Sequence, residues 1–225
     1  MSERTAHTTR TGAAPATARR VSARIALSAV VAAGVLAAGT GPASARLAAP
    51  PVPATVSASA SASAYGQLLA LTRLSAERLA TADRVAAAKW GTDSPIDDPA
   101  REQVVLDSVR QQAVAAGADP EATVAIFRDQ IEANKLVQRE LHRQWTEDPS
   151  KAPAERPDLT EIRKEINRVN TELVRAVAVS DRARAARSCL GVLAVTAVHV
   201  RQEKQLDRLR TRALVRAVPS VCASR

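Results

Sequence analysis

Aromatic side chains are nearly missing from this 225-residue chain: Tyr65, Trp90, Phe127 and Trp145 are all it has. That scarcity argues against a sheet sandwich held by aromatic and β-branched pairs. It also argues against a stacking platform for nucleic-acid bases. Only three histidines occur, and neither His142 nor His199 has the spacing of a metal-ligand set. Of the two cysteines, Cys189 and Cys222, neither has a histidine close by in sequence, so catalytic thiol chemistry is the poorer reading. No strand pattern and no internal repeat is present. Alanine and valine supply much of the 46% hydrophobic content, which suits helices packed through small residues.

The formal charge of +9 taken alone suggests nucleic acid or an acidic surface. Residues 1–45 carry five arginines (Arg4, Arg10, Arg19, Arg20, Arg24) against Glu3 alone, so only +5 remains beyond them. Those remaining charges are interspersed along helix faces, with no basic stripe. Nucleic acid is therefore not an expected partner.

The N-terminus reads as an export signal, residues 1–45. Arg19, Arg20 and Arg24 precede an uncharged apolar run, Ile25 to Ala38, and Gly41-Pro42-Ala43-Ser44-Ala45 supplies the small residues of a cleavage site. The run is too short to span a bilayer comfortably. General secretion is favoured over a twin-arginine route, and no cysteine stands near the cleavage site to carry a lipid. The expected destination is secreted or periplasmic, with no membrane attachment after cleavage. In an oxidising compartment the even pair Cys189 and Cys222 is expected to be bridged.

Residues 46–64 are an Ala/Ser/Pro leader, expected to be flexible because nothing in it can offset ordering entropy by burial. Order is expected from Tyr65, giving one domain over 65–225. The first helix is read over about 66–90, with Leu68, Leu71, Leu74 or Ser75, Leu79, Ala82 and Val85 or Ala86 on one stripe. Asp98-Pro99 opens a second and Asp119-Pro120 a third, each an N-cap followed by proline at the first helical position. The third carries Val124, Phe127, Ile131, Leu136 (or Lys135), Val137 and Leu141. Asp158-x2-Glu161 is a capping-box pattern opening a fourth, with Ile162, Ile166, Val169, Leu173 and Val177 inward. Two further segments, about 181–198 and 200–217, complete an all-α bundle of about six helices with one C-terminal disulfide. The arginine-rich stretch 182–187 reads as solvated.

Four pieces of this bundle fit together as one anion-binding pocket: Arg78-x10-Lys89, Asp98-x2-Arg101-Glu102, Asn134-x3-Gln138 and Arg163. Eleven residues is close to three helical turns, so Arg78 and Lys89 project from one face. Asn134 and Gln138 are one turn apart. Three arginines and a lysine beside neutral amides are expensive to bring together without an anion. A small dianion is the ligand this arrangement asks for.

Ala76-Glu77-Arg78-Leu79, Ala88-Lys89-Trp90, Pro95-Ile96-x-Asp98-x2-Arg101-Glu102, Phe127-x-Asp129-Gln130-Ile131 and Asn134-x3-Gln138, in this order, resemble the all-helical AroQ-class chorismate mutases. The export signal, the extra C-terminal helices and the cysteine pair resemble the exported gamma subclass. The resemblance implies conversion of chorismate to prephenate by an intramolecular [3,3] rearrangement, with no cofactor and no metal. It implies that Arg78 and Arg163 grip carboxylates, with Arg101 beside them, and that Asn134 contacts a carboxylate. Lys89 and Gln138 would donate to the ether oxygen, and Glu102, assisted by the backbone of Asp98, would accept from the ring hydroxyl. Some relatives carry glutamate at the position of Gln138, and some a glutamine at that of Val105, to which no contact is assigned. One chain is expected to enclose the whole site, and a homodimer is left open. The rival reading is a secreted helical binding module of the same fold without catalysis.

Overall fold

The computed structural model describes residues 54–222, and the expected signal peptide lies outside them. Seven α-helices follow in order: α1 (Ala54–Lys89), α2 (Pro99–Ala115), α3 (Pro120–Glu147), α4 (Leu159–Val179), α5 (Asp181–Ala185), α6 (Cys189–Glu203) and α7 (Arg208–Ala217). Single 3-10 turns occupy Pro149–Lys151 and Pro219–Val221. Among the described residues there is no strand.

The helix starts follow from local chemistry. Asp98 accepts from the Arg101 amide at 3.0 Å, Asp119 from Ala122 at 2.9 Å and Asp158 from Thr160 at 2.7 Å. Each capping carboxylate satisfies an amide that the first helical turn leaves without a partner. The capping box at α4 is half formed: Glu161 pairs with Lys164 at 2.7 Å instead of reaching back. Gly91 and Gly117, at φ +66° and +71°, turn the chain after α1 and α2 in the left-handed region that glycine enters without strain.

α1 is the hub, packing against α3, α4 and α6. Its buried stripe is Leu68, Leu71, Ser75, Leu79, Ala82 and Ala86, and Ser75 rather than Leu74 faces inward. Phe127, Val124 and Val137 of α3, and Val169, Leu173 and Val177 of α4, close the core from the other sides. Gln130 ties three helices through one amide, donating to Ser75 Oγ at 2.8 Å and to the Ala217 carbonyl at 2.9 Å. A smaller apolar cluster of Val85, Ala88 and Ile162, backed by Leu159 and Ile166, joins the end of α1 to the start of α4.

Four expectations need correction. α1 begins at Ala54, so residues 54–64 of the expected flexible leader are helical. Alanine is the best helix former, and each residue added to an existing helix gains a hydrogen bond without a new nucleus. The segment read over 181–198 is broken, because Ala186 is extended (φ −67°, ψ 146°) between α5 and α6. The segment read over 200–217 is broken at Gln205 (φ 49°), after which Asp207 caps α7. The arginine-rich stretch is not solvated throughout: Arg184 is buried and donates to the carbonyls of Val221 and Val177.

Cys189 at the head of α6 is bonded to Cys222 beyond α7, with Cα atoms 5.8 Å apart. The 33-residue separation implies about 3–4 kcal/mol of stabilisation in the chain-entropy account. Cys189→Ser/Cys222→Ser is therefore expected to lose stability of that order in urea unfolding. A midpoint unchanged from the oxidised protein would show that the bridge contributes nothing.

Candidate active site

The last turns of α1 from Arg78 onward, the first turns of α2, the middle of α3 and the first turns of α4 line a cavity of about 120 Å³. Arg78, Lys89, Asp98, Arg101, Glu102, Asn134, Gln138 and Arg163 all line it. Apolar side chains complete the wall: Val85, Ile96, Val105, Ile131, Leu159 and Ile166. Val105, where some relatives were expected to carry glutamine, thus presents hydrocarbon to the cavity.

Arg78 is the deepest of the cations, 5% exposed. Its Nε donates to Asn170 Oδ1 at 2.8 Å and its Nη1 to the Gln130 carbonyl at 3.1 Å. The guanidinium lies 5.9 Å from the centre of the Phe127 ring. These contacts leave further N–H groups of the fork uncommitted. Burial alone pushes the Arg78 pKa down to about 10, so it remains a cation at neutral pH while lacking a carboxylate partner.

Lys89, the last residue of α1, donates to the Pro95 carbonyl at 2.7 Å, tying the 91–98 loop to the cavity rim. Burial pulls its ammonium below the ordinary lysine range; Asp98 pushes it up and Arg163 pulls it down. Arg101 is half-buried and Arg163 exposed at the rim. Among the described residues, none of Arg78, Lys89, Arg101 and Arg163 is in a salt bridge. Four cations outside any salt bridge face one cavity whose lining has only two carboxylates, Asp98 and Glu102, so the balance of charge is positive.

The amides are buried with them. Gln138 Nε2 donates to Asn134 Oδ1 at 2.6 Å, and Asn134 Nδ2 reaches the Arg78 carbonyl at 3.4 Å. Gln138 Oε1 is the one buried side-chain nitrogen or oxygen without a partner among the described residues. An amide of this kind has one N–H of its NH2 engaged and the other available, so its polar capacity is unfilled. Glu102 is half-buried and accepts from Lys135 Nζ at 2.9 Å. Asp98 spends a carboxylate oxygen on its own helix cap.

The model of the family "Chorismate mutase type II" matches residues 69–139, a stretch containing all the cavity groups named above except those of α4. A secreted chorismate mutase of Mycobacterium tuberculosis is 32% identical over 163 residues, covering 72% of this chain and 82% of that protein. The chain belongs to the chorismate mutase family. A secreted chorismate mutase of Mycolicibacterium smegmatis is 40% identical over 111 residues, 49% of this chain and 61% of that relative. The crystal structure of a chorismate mutase from Burkholderia phymatum superposes with a TM-score of 0.68 at 32% identity, covering 72% of this chain and 99% of that one.

Within this chorismate mutase fold, sequence reading gave no role to two polar residues: Lys135, which lines the cavity, and Asn170, which holds Arg78. Lys135 was read only as an alternative to Leu136 on the α3 stripe, yet it is 8% exposed and lines the cavity. Buried Asn170 of α4 accepts from Arg78 through its side-chain oxygen, while α3 accepts through the backbone carbonyl of Gln130. A polar residue at an apolar-stripe position was the available signal for each. Trp90 is a packing residue, edge-on to His142 and Trp145 at 5.1 and 5.4 Å, and His142 of α3 is half-buried in that cluster.

Proposed function

We propose that the protein is an exported isomerase that converts chorismate to prephenate within a single chain's cavity. The observation that carries this reading is the set of four cations, none in a salt bridge, facing one small cavity beside the buried amide of Gln138. Chorismate brings two carboxylates, a ring hydroxyl and an ether bridge. The rearrangement breaks the ether C–O bond while a C–C bond forms, so negative charge grows on that oxygen without any proton having to move.

The chain's residues divide that work by chemistry. Arg78 and Arg163 take carboxylates, for which a planar guanidinium fork is shaped. Arg101 and Asn134 orient the carboxylates further. Lys89 and the free N–H of Gln138 are aimed at the ether oxygen, where fixed donors lower the barrier because charge develops there. Glu102 accepts from the ring hydroxyl, assisted by the Asp98 backbone. The apolar wall favours the compact diaxial chair, bringing the two reacting carbons together.

Loss of chorismate's ultraviolet absorbance, followed with purified protein, tests the reading. Turnover supports it. A folded protein that binds chorismate without turning it over would be the non-catalytic module instead. The pH profile follows from the donors. Gln138 donates in any protonation state, and Lys89 stays charged, so kcat/KM is expected to be flat from about pH 5 to 7.5. Above that range Lys89 loses its proton as pH rises through its lowered pKa, so the alkaline limb of kcat/KM begins earlier than for an ordinary lysine. A bound dianion favours the ammonium, so the limb of kcat lies at higher pH than that of kcat/KM. A sharp loss between pH 5 and 7.5 would contradict the assignment of Gln138.

A further inference from the structure

Lys135 has no part in the roles just assigned. It stands in α3 between Asn134 and Gln138 and lines the cavity while only 8% exposed. Its Nζ lies 2.6 Å from Glu132 Oε1, 2.9 Å from Glu102 Oε1 and 3.4 Å from Asp97 Oδ1. Three acceptors match the three N–H groups of an ammonium. Burial pulls its pKa down, but the hydrogen bonds to Glu132 and Glu102 outweigh this and leave it raised, so Lys135 is a fixed cation.

The three carboxylates come from three places: the loop before α2, the first turn of α2, and α3 itself. Of these only Glu102 faces the cavity. Its Oε1 is committed to Lys135, and its Oε2 has no partner among the described residues. A carboxylate beside a dianion site is thereby partly offset in charge, tethered through one oxygen, and left with the other free to accept. An unrestrained glutamate side chain would spread over several rotamers, losing that orientation.

We propose that Lys135 is a positioning residue that fixes Glu102 and so sets the preference for a substrate bearing the ring hydroxyl. This rests on the mutase reading, in which Glu102 accepts from that hydroxyl. A hydrogen bond to a charged acceptor discriminates strongly only when the acceptor is held in place.

The readout is the ratio of kcat/KM for chorismate to that for an analogue lacking the ring hydroxyl. In Lys135→Met this ratio is expected to fall about tenfold, mostly through KM for chorismate. Lys135→Arg, which keeps charge and donors, is expected to restore most of it. On a Glu102→Gln background, adding Lys135→Met should leave the ratio where it was. A merely structural lysine would lower both substrates together, and an unchanged ratio in Lys135→Met overturns the proposal. Should the methionine variant fail to fold, Lys135→Gln reads the same ratio. Absence of turnover by the unaltered protein would remove the mutase reading alone. The hydroxyl preference is then read from the relative binding of the two compounds, with the same outcomes.

Discussion

Lys89→Ala is expected to lower kcat by on the order of 10²-fold or more, with a much smaller rise in KM. The ammonium is half-buried at the end of α1, anchored by the Pro95 carbonyl and facing the cavity with no carboxylate in a salt bridge. A point charge in that position gains most when the ether oxygen becomes anionic, so its removal raises the barrier more than it weakens the ground-state complex. The anchor to Pro95 offers another route to damage, through the 91–98 loop. The two routes separate on stability: a loosened loop lowers Tm or raises KM, whereas a lost donor lowers kcat in a protein that melts normally. Lys89→Arg adds a second check, because an arginine ordinarily titrates above a lysine and the alkaline limb should move up until Arg78, held at about 10 by burial, sets it. Near-normal kcat in Lys89→Ala would mean that the ether oxygen is served by another group.

What the sequence made legible was what neighbours in the chain decide. The starts of α2, α3 and α4 could be read because an aspartate and, in two cases, a following proline act within one turn. Spacing within α1 and within α3 placed Arg78 with Lys89 and Asn134 with Gln138, and these residues share one cavity. The C-terminal third was read less well. The breaks at Ala186 and Gln205 carry neither glycine nor proline. Ala186 lies between a buried Arg184 bonded across to Val221 and a cysteine bonded to Cys222, partners more than thirty residues away. The groups that hold the site were hidden for the same reason. Lys135 finds Glu102 and Asp97, and Arg78 finds Asn170, only after separate helices pack. Nothing in a 3.6-residue period reveals such pairs, although a lysine on an otherwise apolar stripe is the trace they leave.

Arg78→Met is expected to lower kcat/KM by on the order of 10³-fold without lowering Tm. The two halves of that outcome have one cause. Arg78 is 5% exposed, and burial depresses its pKa to about 10, which means the fold disfavours its charge. A depressed cation is the sign of a group that costs stability at neutral pH, where it is charged in both folded and unfolded states but desolvated only in the former. Methionine fills similar space among Phe127, Ile131 and the α1 core without that desolvation. The change does leave Asn170 Oδ1 without its donor, a loss of about 1–3 kcal/mol that offsets part of the gain. Pairing it with Asn170→Leu removes the orphaned acceptor and should raise Tm above that of the unaltered protein. A carboxylate of the bound dianion supplies the counter-charge that the folded chain withholds, so the same guanidinium that weakens the empty protein binds substrate most strongly. Loss of stability in the Arg78→Met/Asn170→Leu pair would show instead that Arg78 is a structural cation already compensated by its two hydrogen bonds.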